Sequence, residues 1–333
     1  MDSVQESVFL ALARAEDAVS RLDEHLARSE LADGWRNRLD FEEAAAWAWS
    51  ASLFAPLEDL VLHDAGLDVR MPSQDLSRAH RLVRARRKAK LGGIELLAPE
   101  GALWLAGRGE RPGSVRLGAA KPARQDTEGS VLARCAVDLE TLARGTAEGP
   151  GVALREWSSA VRALEGHAPD LLVAAFALDA WRIVQPLPRE DYVGAALVSV
   201  WLRSRLRVGS HLLGLEGAFR KQGPLPSRVA ADAPPGRLRH YLEGLQVAGE
   251  LGRESLRRLE LVRQVLDRQV SGRRAGSRAR DLAELLLASP VVSAPMAAER
   301  LGISQQAVRS LVPSLGSSVR ELTGRRRFKA WRV

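Results

Sequence analysis

Residues 169–205 read PDLLVAAFALDAWRIVQPLPREDYVGAALVSVWLRSR, and their pattern decides how the chain is built. Apolar residues fill both ends without the strict alternation of a strand, which predicts one helix from about 169 to 183 and a second from about 191 to 209. Between them Pro186 and Pro188 stop the first helix, because a proline ring breaks the backbone ladder. Glu190 and Asp191 can then cap the second and complement the positive end of its dipole. A loop presented by two such helices is often where chemistry happens. It is a working site, the remains of one, or only a corner.

Working outward, helices are expected on both sides. Val8, Leu12, Ala15, Val19, Leu22 and Leu26 recur in steps of four and three, the spacing of an amphipathic helix. FEEAAAWAWSASLFAPLEDLVL (41–62) keeps a similar apolar density until Gly66. A third helix, DLSRAHRLVRARRKAKL (75–91), follows Pro72 with Ser73 as its N-cap and ends at Gly92-Gly93. IELLAPEGALWLAG (94–107) reads as a short hairpin. Helices resume at SVLARCAVDLETLARG (130–145) and ALREWSSAVRALEG (153–166). After the Pro-rich stretch 221–236, a long amphipathic helix runs from Arg237 to about Val270, and SGRRAGS (271–277) marks a hinge. The expected fold class is mainly α. Its parts are an N-terminal helical region (1–106), a Gly- and Pro-rich linker (107–128), a helical core (129–270) and a small C-terminal domain (273–333).

That last domain, within SRARDLAELLLASPVVSAPMAAERLGISQQAVRSLVPSLGSSVRELTGRRRFKAWRV (277–333), has the spacing of a winged helix-turn-helix. Leu282, Leu285 and Leu286 share a face of its first helix, a second helix ends at Gly302, and Ser304 opens a third. Ala298 is the small residue where two steeply crossed helices meet, Gly302 makes the turn, and Val308 points inward. Leu301, Ile303 and Leu311 supply the apolar contacts. With Ser304 at its start, the third helix leaves Gln305, Gln306, Arg309 and Ser310 outward, where Gln can pair with adenine and Arg with guanine in a major groove. VRELTGRRRFKAWRV predicts a β-hairpin wing anchored by Leu322, Phe328 and Trp331, with Arg325, Arg326, Arg327 and Lys329 along phosphates or in the minor groove. The expected partner is double-stranded DNA. The alternative is a winged-helix fold used for protein contacts.

Charge supports the first of these. Of the 49 Lys and Arg, 12 lie between Ser271 and Val333 against four acids, which leaves 37 basic and 37 acidic residues over 1–270. The whole excess of +8 therefore sits on the terminal module, as expected where a small domain meets a polyanion. Arginine abundance alone says less, since only five of the basic residues are Lys. A second basic group, Arg78, Arg81, Arg84, Arg86, Arg87, Lys88 and Lys90, crowds one helix and is either a solvated face or a phosphate contact.

Much chemistry is excluded. At 46% hydrophobic residues the chain can build a core, and its single Cys135 rules out an internal disulfide framework or a multi-thiolate metal site. No secretory leader and no spanning apolar run is visible, so a cytoplasmic, nucleoid-associated protein with no membrane contact is expected. The six histidines (25, 63, 80, 167, 211, 240) lack paired metal spacing, and neither a metal nor a cofactor is expected. His63 beside Asp64 reads as a cap or surface pair, and the tryptophans read as core.

The run 171–205 resembles the core of Fic-domain proteins, in which an apolar helix ends in a loop of the form HPFxDGNGRxGR and a second apolar helix follows. The likeness lies in the apolar pattern and in Ile183, Pro186 and Leu197. A Fic core followed by a winged helix is also a known arrangement. The whole chain, including LEDLVLHDAGLDVRMPSQDLSRAHRLVRARRKA (57–89), resembles a family of alphaproteobacterial helix-turn-helix proteins of unknown function. In active Fic enzymes the loop histidine is a general base, an acid holds Mg²⁺ and the glycines cradle phosphates. Here the resemblance puts Gln185 at the base, Arg189 at the acid, Asp191 at the asparagine, and Glu190 and Tyr192 at the glycines. Val193 and Ala196 take the places of the arginines. A carboxamide is no base near neutral pH, and side chains in a phosphate nest obstruct it. The expectation is a non-enzymatic Fic-like scaffold in a homodimeric transcriptional regulator, whose cleft can still take an unidentified ligand or protein. The alternatives are an atypical Fic-like transferase and an adaptor in replication or plasmid maintenance.

Overall fold

A computed structural model describes residues 2–68, 71–113, 128–144, 149–209, 211–223, 234–271, 278–322 and 329–333. The linker at 107–128 and the hinge at 271–277 fall mostly outside these residues. Helices dominate: α1 (Asp2–Arg28), α2 (Ala32–Ser50), α3 (Leu57–Asp64), α4 (Gln74–Leu91), α5 (Pro99–Leu105), α6 (Glu128–Arg144), α7 (Pro150–Ala163), α8 (Asp170–Val184), α9 (Tyr192–Ser204), α10 (Leu215–Gln222) and α11 (Pro234–Val270). The C-terminal part adds α12 (Arg278–Ala288), α13 (Ala294–Leu301) and α14 (Gln305–Leu311). Three short antiparallel strands, β1 (Val292–Ser293), β2 (Arg320–Glu321) and β3 (Ala330–Arg332), form a sheet in the order β1-β3-β2. The fold is thus mainly α with a small C-terminal sheet. No described helix is long and apolar enough to cross a membrane.

Two compact units form, one from residues 1–24 and 81–252, the other from 25–80 and 253–333. Packing therefore joins segments that a linear division near 106, 128 and 272 separates.

In the first unit α8 is the central helix. It is apolar around its circumference, and α6, α7 and α9 cover it. Trp157 of α7 donates its indole N–H to the Ala177 carbonyl at 2.8 Å and meets Trp181 edge to face at 5.1 Å. Trp181 in turn lies flat on α9 at Gly194, where an added Cβ would fall 2.5 Å from the indole ring. The single charge in the apolar run, Asp179, is fully buried and bonded by Arg182 at 2.9 Å and by Arg237 of α11 at 2.8 Å. A buried carboxylate is tolerated only when paired in this way. Burial, with Asp179 nearby, pushes the Tyr241 phenol up to about 12.

The apolar spacing of α1 is realised, since Val8, Leu12, Ala15, Val19, Leu22 and Leu26 are all buried. Ser73 caps α4 as its sequence predicts, accepting from the Leu76 amide at 3.1 Å. Two other expectations are corrected. The run 41–62 is not one helix: α2 stops at Ser50, Ser52 turns to a φ of 56°, and α3 begins only after Pro56, before which helical geometry is disfavoured. No hairpin forms at 94–107. Ile94–Leu97 make a 3-10 turn and α5 starts at Pro99, whose fixed φ and missing N–H suit a first helical position.

The contact of Gly194 with Trp181 gives a direct test. Gly194→Ala should destabilise the protein by about 1–3 kcal/mol through overpacking, outweighing the roughly 1 kcal/mol that alanine gains over glycine in a helix. Urea unfolding measures the balance, and a stabilised variant would show that the indole has room to move.

Candidate functional site

The C-terminal module is built around α12, whose Leu282 and Leu286 are fully buried while Leu285 is half-exposed. Ser293 caps α13, and its own strand β1 pairs with β3, placing Val292 opposite Trp331. Gly302 takes the left-handed conformation (φ 63°) that the turn requires, and the Ile303 amide returns to the Ala298 carbonyl at 3.1 Å. Ala297, rather than Ala298, is the fully buried small residue: it faces the neighbouring helices, whereas Ala298 sits one position round and is half-exposed. Val308 is buried as expected, and Trp331 anchors the sheet at 3% exposure. The module is a winged helix-turn-helix.

On the outer side, Gln305, Gln306 and Ser310 are exposed and Arg309 is half-exposed. Ser304 spends its hydroxyl oxygen on the Ala307 amide at 3.1 Å as the N-cap, and Ser310 donates to the Gln306 carbonyl at 3.0 Å. Neither hydroxyl is wholly at the disposal of a partner. Arg309 reaches back to Gln305 at a long 3.5 Å, a contact easily exchanged. Lys329 is held by Glu321 at 2.9 Å beside the strands. Arg325, Arg326, Arg327 and Phe328 lie outside the described residues.

Reading the sequence did not reveal what holds the module. The last turn of α12 contains no basic residue. Its free carbonyls are met by α2: Arg38 donates to those of Leu287, at 3.1 Å, and Leu286, and Asn37 to that of Ala288 at 2.9 Å. Burial pushes the Arg38 guanidinium down to about 10, so it stays charged at neutral pH. Beside it, a Cβ on Gly34 would lie 2.7 Å from the Leu287 carbonyl oxygen, so the helices touch backbone to backbone. Arg263 of α11 grips Glu284 of α12 through both nitrogens at 2.6 and 2.7 Å.

The loop at 185–192 is occupied by structural duties. Gln185 ends α8 in the left-handed conformation (φ 46°), and Asp191 accepts from the Tyr192 amide at 3.1 Å as the cap of α9. Glu190, 5% exposed, receives one Arg108 nitrogen on both oxygens at 2.9 and 2.7 Å. Tyr192 is buried, and burial followed by the Glu190 charge pushes its phenol up. Pro186 is buried, while Arg189 is exposed. A cleft of about 300 Å³ opens beside the loop, lined by Gln185, Leu187, Trp181, Phe219 and Tyr241 among others. Elsewhere, His63 pairs with Asp68 and His80 with Asp64, each at 2.8 Å, rather than His63 with its neighbour in sequence. Among the described residues no group of three or more His, Cys, Asp or Glu is placed to hold a metal ion.

A protein family described as "HTH DNA binding domain" matches residues 280–333, and one described as "Protein of unknown function (DUF1612)" matches 151–271. The chain is similar to "Uncharacterized protein y4cF" of Sinorhizobium fredii (strain NBRC 101917 / NGR234), at 32% identity over 365 aligned positions that span 94% of this chain and 93% of the relative. A solved structure of a Fic family protein from Desulfovibrio desulfuricans G20 superposes on 98% of this chain and 95% of its own, with 13% identity and a TM-score of 0.49.

Arg38 should matter more to stability than its position in a remote helix suggests. Arg38→Met leaves the Leu286 and Leu287 carbonyls without their charged donor, at a cost of about 1.5–3 kcal/mol. Denaturant unfolding measures that cost, and a loss under half a kcal/mol would mean that water or a neighbour replaces the guanidinium.

Proposed function

The chain belongs to the same family as the Sinorhizobium fredii protein y4cF, and we propose that it is a sequence-specific double-stranded DNA-binding protein used as a transcriptional regulator. The observation that carries this reading is the outward face of α14: a capped helix in a winged helix-turn-helix, with the exposed amides of Gln305 and Gln306 in its first turn and Arg309 one turn on. Amides and guanidinium groups at that end of a recognition helix can address base edges in bidentate fashion. The match to a DNA-binding family over 280–333 and the concentration of positive charge after residue 271 point the same way.

Within this reading, residues 273–333 are the reader and the helical core 129–270 is a scaffold. The loop at 185–192 is architecture rather than an active site, because Gln185 offers no basic nitrogen while Glu190 and Asp191 are committed to Arg108 and to the cap. A homodimer in the cytoplasm completes the proposal. Two-fold DNA sites call for two readers, and α11, 37 residues long with Leu261 at 60% exposure, offers a surface for pairing.

Selection of bound duplexes from a random pool by the full-length protein, followed by shift titrations, tests the proposal. One enriched motif is expected. Arg309→Ala should cost about 1–3 kcal/mol and relax preference at one base pair, whereas Arg326→Ala should weaken all sequences and reduce the salt slope by about one. Absence of any enriched motif would defeat the reading in favour of a protein-binding adaptor. Point variants are preferable to deletion from residue 272, which would strip α2 of the helix that Arg38 and Gly34 pack against.

A further inference from the structure

The basic residues of α4 separate into distinct roles. The Arg78 guanidinium lies 6.0 Å over Trp47, and Arg86 is buried, donating to the Leu213 and Leu212 carbonyls at 3.0 and 3.2 Å. Arg81, Arg84 and Lys88 are different. At i, i+3 and i+7 they share one face, and with Arg108, Gly107 and Glu190 they line a cleft of about 500 Å³.

The charges of this cleft do not balance. Four cations face one carboxylate, and Glu190 is already gripped by Arg108. Arg81 and Arg84 are exposed and make no hydrogen bond or ion pair with any described residue. Lys88 donates once, to the Trp104 carbonyl at 2.7 Å, with its ammonium 4.9 Å over that indole, which leaves two N–H groups. Burial and the nearby Arg84 lower its pKa. Some surface arginines of this chain pair with carboxylates, as Arg21 does with Asp17 and Arg278 with Asp281. Like charges three and four residues apart weaken a helix, so a stripe of cations without counter-charge is kept at a cost.

The walls are fixed in advance. Arg203 of α9 donates to the α4 carbonyls of Ala89 at 2.7 Å and Lys90 at 3.4 Å, and to Gly92, while Lys88 ties α4 to α5 through Trp104. Gly107 contributes no side chain to the floor. A volume of this size suits a small ligand, and charges converging on a hollow suit an anion that enters it rather than the convex face of a duplex.

We propose that the cleft between α4 and the segment following α5 binds a small polyphosphate anion carrying a di- or triphosphate group. Arg81 and Arg84 make forked contacts to phosphate oxygens, Lys88 supplies a point charge, and Arg108 closes the far side while holding Glu190. The net charge of three from these residues matches a ligand of that class. The inference is independent of DNA binding by the C-terminal module.

Isothermal titration calorimetry of the full-length protein with sodium triphosphate, and separately with ATP, tests it. Saturable binding at one site per chain is expected. The double variant Arg81→Ala, Arg84→Ala should lose at least about tenfold in affinity, while its ligand-free melting temperature stays equal or rises because repulsion is removed. Arg155→Ala, an exposed arginine outside the cleft, should bind as the parent does. Tighter binding of ATP than of triphosphate would add a nucleoside to the ligand class. The proposal is overturned if triphosphate and ATP both give no saturable heat, or if the double variant binds them unchanged. It is equally overturned if the double variant loses affinity for random duplex DNA while the parent ignores triphosphate, which would assign the stripe to DNA.

Discussion

The last carbonyls of a helix point away from it with nothing in the helix to bond, and at α12 those of Leu286, Leu287 and Ala288 are met by Arg38 and Asn37 of α2. α12 is the helix on which α13 and α14 rest, so the exposed amides of Gln305 and Gln306 inherit their position from a contact nearly 250 residues away in sequence. Gly34 makes the fit possible, because any side chain there would meet the Leu287 carbonyl. The donor is a cation whose pKa burial lowers to about 10 against the opposing pull of the Glu42 carboxylate, so it remains charged at neutral pH.

The same device recurs in the first unit. Arg86 spans the Leu212 and Leu213 carbonyls, Arg203 closes the C-terminal end of α4, and Arg237 reaches Asp179 in the centre of α8. Arg86 and Arg203 each use the planar fork of a guanidinium, with several donors fixed in one plane. A lysine ammonium carries three donors but no planar fork, so it matches such paired carbonyls less closely. An arginine content that is poor evidence for nucleic acid when merely counted therefore has a concrete structural use.

Local signals were legible and distant ones were not. The three- and four-residue spacing of Val8 to Leu26, the caps at Ser73 and Ser304 and the turn at Gly302 each depend on neighbours a few residues away, and each is realised. The run 41–62 misled because apolar density does not record a break, which Ser52 and Pro56 impose through the backbone. At 94–107 the apolar residues read as a hairpin, but Pro99 suits the first position of a helix and α5 forms there instead. In the module, Ala297 and Ala298 differ only in which way one residue of rotation turns them. No pattern in the sequence could have paired Arg38 with Leu287, or separated Arg86 from Arg84, since those outcomes depend on which helix arrives opposite. At the loop 185–192 no local pattern reveals the grip of Arg108 on Glu190, which joins residues 82 apart in sequence.

The second unit is made of two portions of the chain far apart in sequence, 25–80 and 253–333. During synthesis α2 emerges early with Arg38 and an open face at Gly34, and the α12 carbonyl that Arg38 meets at Leu287 is 249 residues behind. At ordinary elongation rates that interval is roughly twelve to fifty seconds. In that time a buried-to-be cation and a bare helix backbone stand in water or in the hands of a chaperone. The unit that carries the helix-turn-helix therefore cannot be completed until the end of the chain is made, and a product truncated before α12 leaves α2 without the helix it packs against.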